Sequence, residues 1–343
     1  MAAMFRYLIT IKPLGMMYGS SGGFLSAENL VGSSRAKFPP EAAALSGLIF
    51  SANNVKYQTL TKNEQKQKHD ELTANLCVAG PFWAKCDDPS YFYLPMPWTK
   101  IISDEGFNEW ILQNDRWKLK DETEGKKDLQ PDYPWLCVGG WNQPADLIQE
   151  NEWAAKTPWK FTPVLHPSMK DNERHVRDKD GLFLEYAVQV PDDICLVYLS
   201  TKSIENGWYR LGGENHVVEV ECTDLSEYDF LLDLFQQKID KYFALITPGV
   251  WGSNRYSYRY PQHPDFPKPA AMLTDKPVPY RYRAGKQLGR GRYAVLPGSV
   301  YVLNESLGKS WWDWSEDWFP KEGFHLKKVG CGLCLPLEIE SEL

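Results

Sequence analysis

The sequence predicts an α+β fold with a mainly antiparallel sheet, and three stretches carry that prediction. Phe5 to Ile11 is rich in β-branched and aromatic residues and stops at Pro13, as a first strand would. From Leu182 the pattern becomes regular, with strands expected over Leu182–Val190, Ile194–Ser200 and His216–Glu221. An amphipathic helix then places Leu231, Leu234, Phe235 and Ile239 on one face, and a strand from Tyr242 to Thr247 follows it. Strands that flank a helix and return to a strand fit one helical layer on one sheet.

The remaining elements follow from local chemistry. Pro40 suits a first helical position, because it lacks an N–H and its φ is already helical. Leu45, Leu48 and Ile49 then share a face. Gly47 inside that helix costs about 1 kcal/mol against alanine, which predicts a close neighbour on its side. Thr61 to Asn75 is highly charged and reads as an exposed helix or a loop. Leu76–Phe82 and Tyr91–Leu94 are strand-like, Phe107–Leu112 suggests helical turns, and Ser226-Glu227-Tyr228-Asp229 resembles a capping box. Residues 249–290 show no periodicity. Arg292–Leu303 reads as a strand broken at Pro297-Gly298, and Leu326–Leu337 as strand around a glycine turn.

With 343 residues and 43% hydrophobic content the chain can bury a large core, and length suggests two domains or one large one. No run approaches the ~18 apolar residues a membrane helix needs. The N-terminus lacks a basic segment followed by an apolar one, so no signal peptide is expected. Seven scattered cysteines do not make a disulfide framework, and a cytoplasmic location is expected.

A net charge of −7 argues against a protein that coats nucleic acid indiscriminately. The charge is segregated, however. Between Gly249 and Asn304 nine Lys or Arg face two acids, and after Asn304 eight acids face four bases. Within the basic part, Arg255-Tyr256-Ser257-Tyr258-Arg259-Tyr260 and Tyr280-Arg281-Tyr282-Arg283 interleave cations with rings, and Arg290 and Arg292 follow among glycines. Single-stranded nucleic acid requires this mixture, cations for phosphates and ring faces for splayed bases. The alternative is a solvated loop whose arginines pair with the acidic C-terminal part.

A second candidate precedes the helix at Pro40. Ser33, Ser34, Arg35, Lys37 and Phe38 approach a helix start whose N–H groups and dipole favour an anion. Glu41 in the first turn would repel a phosphate on the helix end itself, so an RNA should meet the loop side.

Other constellations are weaker. Gly289-Arg290-Gly291-Arg292 lacks the Gly-Lys-Ser/Thr ending of a P-loop. Cys331-Gly332-Leu333-Cys334 stands without a second pair and reads as buried thiols rather than a zinc site. The six histidines form no metal pattern, although His166 and His175 flank a loop and could serve acid–base chemistry. The tryptophans from Trp311 to Trp318, with Asp313 and Glu316, admit a carbohydrate-binding reading or packing against a partner.

Taken in order, these pieces resemble the RAMP-superfamily subunit that caps the crRNA 5′ handle in type III CRISPR effector complexes, above all the type III-B form, with a III-D variant as the alternative. The resemblance rests on Phe38-Pro39-Pro40 before a small-residue helix, Gly80-Pro81-Phe82, the close at Pro95-Met96-Pro97, and Gly181-Leu182-Phe183. Leu211-Gly212-Gly213-Glu214, Leu245-Ile246-Thr247-Pro248, the segment Ala294 to Tyr301, and the glycine turn at Gly330 and Gly332 continue it. It implies two ferredoxin-like (RRM-like) modules with long insertions, over residues 1–180 and 181–343. It also implies a non-catalytic role, no cofactor and no metal. The partners it implies are crRNA, the large polymerase-like subunit and the first backbone subunit. By this resemblance the Phe38 helix start and the turn at Lys328, Gly330 and Gly332 lie near RNA. A processing endoribonuclease of a related RAMP branch is the competing expectation.

Overall fold

The computed structural model describes residues 4–18, 38–114, 116–170, 174–177, 181–253, 255–281, 283–284, 287–322, 324–339 and 341–342. Its largest sheet is built around the opening strand, Tyr7–Pro13, which buries Leu8, Ile9 and Ile11. This strand pairs antiparallel with Ile194–Ser200 on one side and His216–Asp224 on the other. Val78–Lys85 pairs antiparallel with Ile194–Ser200. Numbering these four strands along the chain gives the spatial order 4-1-3-2, that of a ferredoxin-like module.

Helix α1 (Ala42–Lys56) makes the first crossover and buries Ala42, Leu45, Leu48 and Ile49. Where a second helix would join strands three and four, a hairpin instead adds Gly207–Leu211 to the sheet edge. Short strands at Tyr93–Pro95, Trp135–Cys137 and Ala154–Ala155 extend the other edge, giving eight strands. A ribbon of Lys160–Pro167 and Leu182–Gln189 forms a separate small sheet with Met17–Tyr18.

The same order recurs further along. Tyr242–Leu245, Pro269–Leu273, Val300–Leu303 and Cys334–Pro336 form an antiparallel sheet that again reads 4-1-3-2. Here the first crossover lacks a helix, and the second is made of tryptophan-rich 3-10 turns. Side chains of both sheets, Leu8 and Phe82 with Phe243 and Tyr301, join in one apolar core that also takes in Trp251. The boundary expected after residue 180 falls inside the chain of the first sheet, since Ile194–Ser200 and His216–Asp224 pair with the opening strand.

Several local expectations change. Pro40 precedes the helix instead of starting it. Glu41 is extended and serves as N-cap without a side-chain capping bond, and the Tyr198 hydroxyl donates to the Pro40 carbonyl at 2.7 Å. A Cβ at Gly47 would meet nothing within 4 Å, so no close neighbour explains this glycine. Thr61 caps α2 (Lys62–Asn75) through a reciprocal box with Glu64. Gly106–Gln113 is a strand and not helical turns, paired with Lys100–Ser103 across a turn at Asp104-Glu105. Its Glu109 is held by Lys100 at 2.7 Å, a cross-strand tie that helical turns could not make.

A short helix, α3 (Ala145–Glu150), precedes the ribbon. The box expected at Ser226 is absent, because the Asp224 carboxylate accepts the Ser226 N–H and α4 (Asp229–Gln236) starts at Asp229. Leu326–Val329 is a 3-10 turn closed by left-handed Gly330 and not a strand. Among the described residues no helix is long and apolar enough to cross a membrane.

Candidate nucleic-acid interface

The basic–aromatic segment folds into small hairpins. Trp251–Gly252 pairs with Ser257–Tyr258, and Val278–Tyr280 pairs with Arg292–Ala294. The Ser257 hydroxyl accepts the Tyr293 N–H at 3.0 Å, which ties the two together. Gly252 is required for the first turn: at φ +116° a Cβ would run into the Tyr256 carbonyl. Beyond Tyr280, Arg283–Ala284 pairs with Gln287–Leu288 and lies against α1. The turn Leu326–Val329 also touches α1. Two of the three pieces expected at the RNA therefore meet at the helix that follows the third.

The expected cations divide sharply. Arg255, Arg259, Arg281 and Arg290 are exposed, as are Tyr256 (64%) and Tyr293 (56%). Arg259 donates to the Thr274 hydroxyl at 2.6 Å, and its carbonyl accepts the Tyr301 hydroxyl at 2.6 Å. Arg281 donates to the Gly289 carbonyl at 2.7 Å. Arg283 lies in the hairpin strand against α1.

Arg292 is different. Its side chain is 3% exposed, and Nε lies 2.8 Å from Glu322 Oε1 while Nη1 donates to the Ser253 carbonyl at 2.8 Å. This is the pairing with the acidic C-terminal part that the sequence admitted as its alternative. Burial takes the guanidinium away from any phosphate outside.

Lys328, Gly330 and Gly332 also hold the fold together. Lys328 donates to the Thr73 and Ala74 carbonyls at 2.9 and 3.0 Å, placing a cation on the C-terminal end of α2. Gly330 has φ +74°, and a Cβ there would lie 2.6 Å from Ala79 Cα, so the turn packs on strand Val78–Lys85. Gly332 lies beneath the Trp251 ring. Both glycines are buried.

Ser33, Ser34, Arg35 and Lys37 lie outside the described residues. Phe38 is half-buried and meets Trp159 edge to face, at 5.1 Å between ring centres. Trp159 in turn contacts Trp135, and Trp83 stacks on Tyr93 at 4.1 Å. This aromatic cluster beside the start of α1 was legible in part. Phe82 faces the main core, so alternation turns Trp83 to the other side of the sheet. Its long-range partners Trp135 and Trp159 carried no such signal.

The two candidate histidines do not share a site. His166 Nε2 lies 3.5 Å from Glu185 Oε2 on the ribbon, and its ring meets the Tyr18 ring edge-on at 5.6 Å. His175 is exposed on the segment beyond it. The carbohydrate reading fails on burial, because Trp311, Trp314 and Trp318 are core residues and Asp313 caps its own turn through Ser310. Cys331 and Cys334 are buried thiols, and burial pushes Cys334 well up.

No family model matches the sequence, and no curated protein matches it. Solved structures to which the chain is similar come from type III CRISPR complexes. One is a chain of the type III-B Cmr-beta complex bound to cognate target RNA, with 13% identity over 86% of each chain and a TM-score of 0.48. Another belongs to the Csm3-Csm4 subcomplex of the type III-A CRISPR-Cas interference complex, with 12% identity over 88% of this chain and 94% of that one, at a TM-score of 0.41. A third belongs to the Csm1-Csm4 cassette in complex with pppApA, with 12% identity over 88% of each chain at 0.37.

Proposed function

We propose that this protein is a non-catalytic RNA-binding subunit of a type III CRISPR effector complex. In this reading it holds the 5′ handle of the crRNA and docks the large polymerase-like subunit and the first backbone subunit. The observation that carries it is the packing of the strand Arg283–Ala284 on α1, with Arg255, Arg259, Arg281, Arg290, Tyr256 and Tyr293 exposed along the same segment. Cations and ring faces set side by side suit a short single-stranded RNA. The ordered series of sequence motifs and the repeated 4-1-3-2 strand order support the same reading. An acidic chain with one local basic surface fits one RNA contact and several protein contacts.

Binding of a handle RNA and of a scrambled RNA, across a salt series, tests it. The handle should bind more tightly, and Arg255→Glu with Arg290→Glu should weaken it and lower the salt slope by about 1.4, near 0.7 per lost single-strand phosphate contact. Equal affinity for the scrambled RNA removes the handle role, and an unchanged slope removes the two arginines.

One observation favours a second reading, a processing endoribonuclease: the proximity of His166, Glu185 and Tyr18. Incubation with precursor crRNA in the absence of metal separates the two readings. Specific cleavage that vanishes in His166→Ala would establish the enzyme.

A further inference from the structure

A cleft lined by none of the exposed arginines of the basic segment has a lining of unusual composition. It opens between the last turns of α2 and the 3-10 turns of the second sheet's long crossover, with a volume of about 390 Å³. Asp70, Glu316, Lys321, Phe324, His325 and Lys328 line it. A second space of about 180 Å³ adjoins it through Ala74, Glu316 and Lys328, and reaches Leu76, Trp312 and the buried Lys327.

The charges in this lining are mixed and already partly ordered. Lys328 and Lys327 each spend two of three ammonium protons on main-chain carbonyls, at 2.6 to 3.0 Å. His325 Nε2 lies 3.2 Å from the Glu316 carboxylate. Two polar atoms remain buried without a protein partner, His325 Nδ1 and Trp312 Nε1.

A simple anion would meet Asp70 and Glu316, and a simple cation would meet three lysines. A ligand with a phosphate, hydroxyl donors and a planar ring satisfies all of them. Lys321, with the remaining ammonium proton of Lys328, suits the phosphate. The two carboxylates suit ribose hydroxyls, and Phe324 offers a face or edge to a base. The volume lies in the range of small-molecule sites. We infer that this cleft binds a nucleoside 5′-phosphate, either as a free nucleotide or as the terminal nucleotide of an RNA.

Calorimetric titration of the full chain with AMP, with adenosine, and with an RNA hexamer bearing or lacking a 5′-phosphate tests the inference. AMP or the phosphorylated hexamer should saturate one site, and the phosphate-free counterpart should bind at least tenfold more weakly. Lys321→Glu should weaken the phosphorylated ligand at least tenfold, while Lys321→Arg keeps it. Binding of AMP without competition by the hexamer identifies a free nucleotide, and binding of the phosphorylated hexamer alone identifies an RNA end. Absence of saturable binding by both overturns the inference. So does binding that ignores both Lys321→Glu and Phe324→Ala, while both variants keep the wild-type melting curve. The basic hairpins are untouched by these changes, so handle binding can fail or hold independently.

Discussion

Arg292 and Glu322 form a buried ion pair 2.8 Å apart, with side chains 3% and 13% exposed. It joins the basic segment to the acidic C-terminal part, and the Ser253 carbonyl takes a second guanidinium proton. An arginine that reads as a nucleic-acid contact in the sequence is here a fastening between distant pieces of chain. Breaking such a pair on one side leaves an unpaired buried charge, at a cost of about 3–5 kcal/mol. Arg292→Ala should therefore lower stability by that amount in urea unfolding. Arg255→Ala, at an exposed position, should leave stability within about 0.5 kcal/mol.

Lys328 should behave as a helix cap. Lys328→Met removes a cation from the Thr73 and Ala74 carbonyls and should cost about 1 kcal/mol. Hydrogen exchange should speed up in the last turn of α2, with no change in the salt slope for a handle RNA that lacks a 5′-phosphate. A change of slope would return Lys328 to the RNA surface.

The two glycines at 47 and 330 should respond in opposite directions. Gly330→Ala forces a left-handed residue to carry a Cβ 2.6 Å from Ala79 Cα and should destabilise by more than about 2 kcal/mol. Gly47→Ala enters open space in a helix and should stabilise by about 0.5–1 kcal/mol. Thermal melts of the two variants check both signs.

Thiol labelling should follow burial. Cys86 and Cys222 are half-buried, while Cys77, Cys137, Cys195, Cys331 and Cys334 are buried. A disulfide reagent at pH 8 should titrate two thiols in the folded protein and all seven after denaturation.

Alkaline pH should expose Cys77. Burial pushes its thiol up to about 12 from an ordinary 9.0. Below pH 9 the thiol is neutral in both states and its contribution to stability is complete. Above that the unfolded chain ionises first, so the contribution falls as pH rises towards about 12, at up to about 1.4 kcal/mol per pH unit. Lys327 works in the opposite sense, because burial lowers it and stability rises as it loses its proton. The comparison to make is therefore wild type against Cys77→Ala between pH 8.5 and about 10.5, where the variant should lose less stability.

Sequence alone determined the features that depend on neighbours along the chain. A run of β-branched and aromatic residues and a stopping proline placed the opening strand, and helical spacing placed Leu45, Leu48 and Ile49 in the core. The order of aromatic, proline and glycine pieces carried the resemblance, and the charge pattern marked residues 249–304 as the basic surface.

Tertiary structure decided which members of each pattern stay exposed. Phe107–Leu112 became a strand because Lys100 and Glu109 pair across a hairpin, a relationship that propensity does not contain. Nothing local in the sequence marks Arg292, Lys328, Gly330 and Gly332 as fastened, yet each is held by a residue more than 25 positions away. Composition cannot tell a solvated cation from a buried one, because the difference lies in the partner that replaces water. Among the described residues of the basic segment, the fold leaves Arg255, Arg259, Arg281 and Arg290 outside and takes Arg292 in.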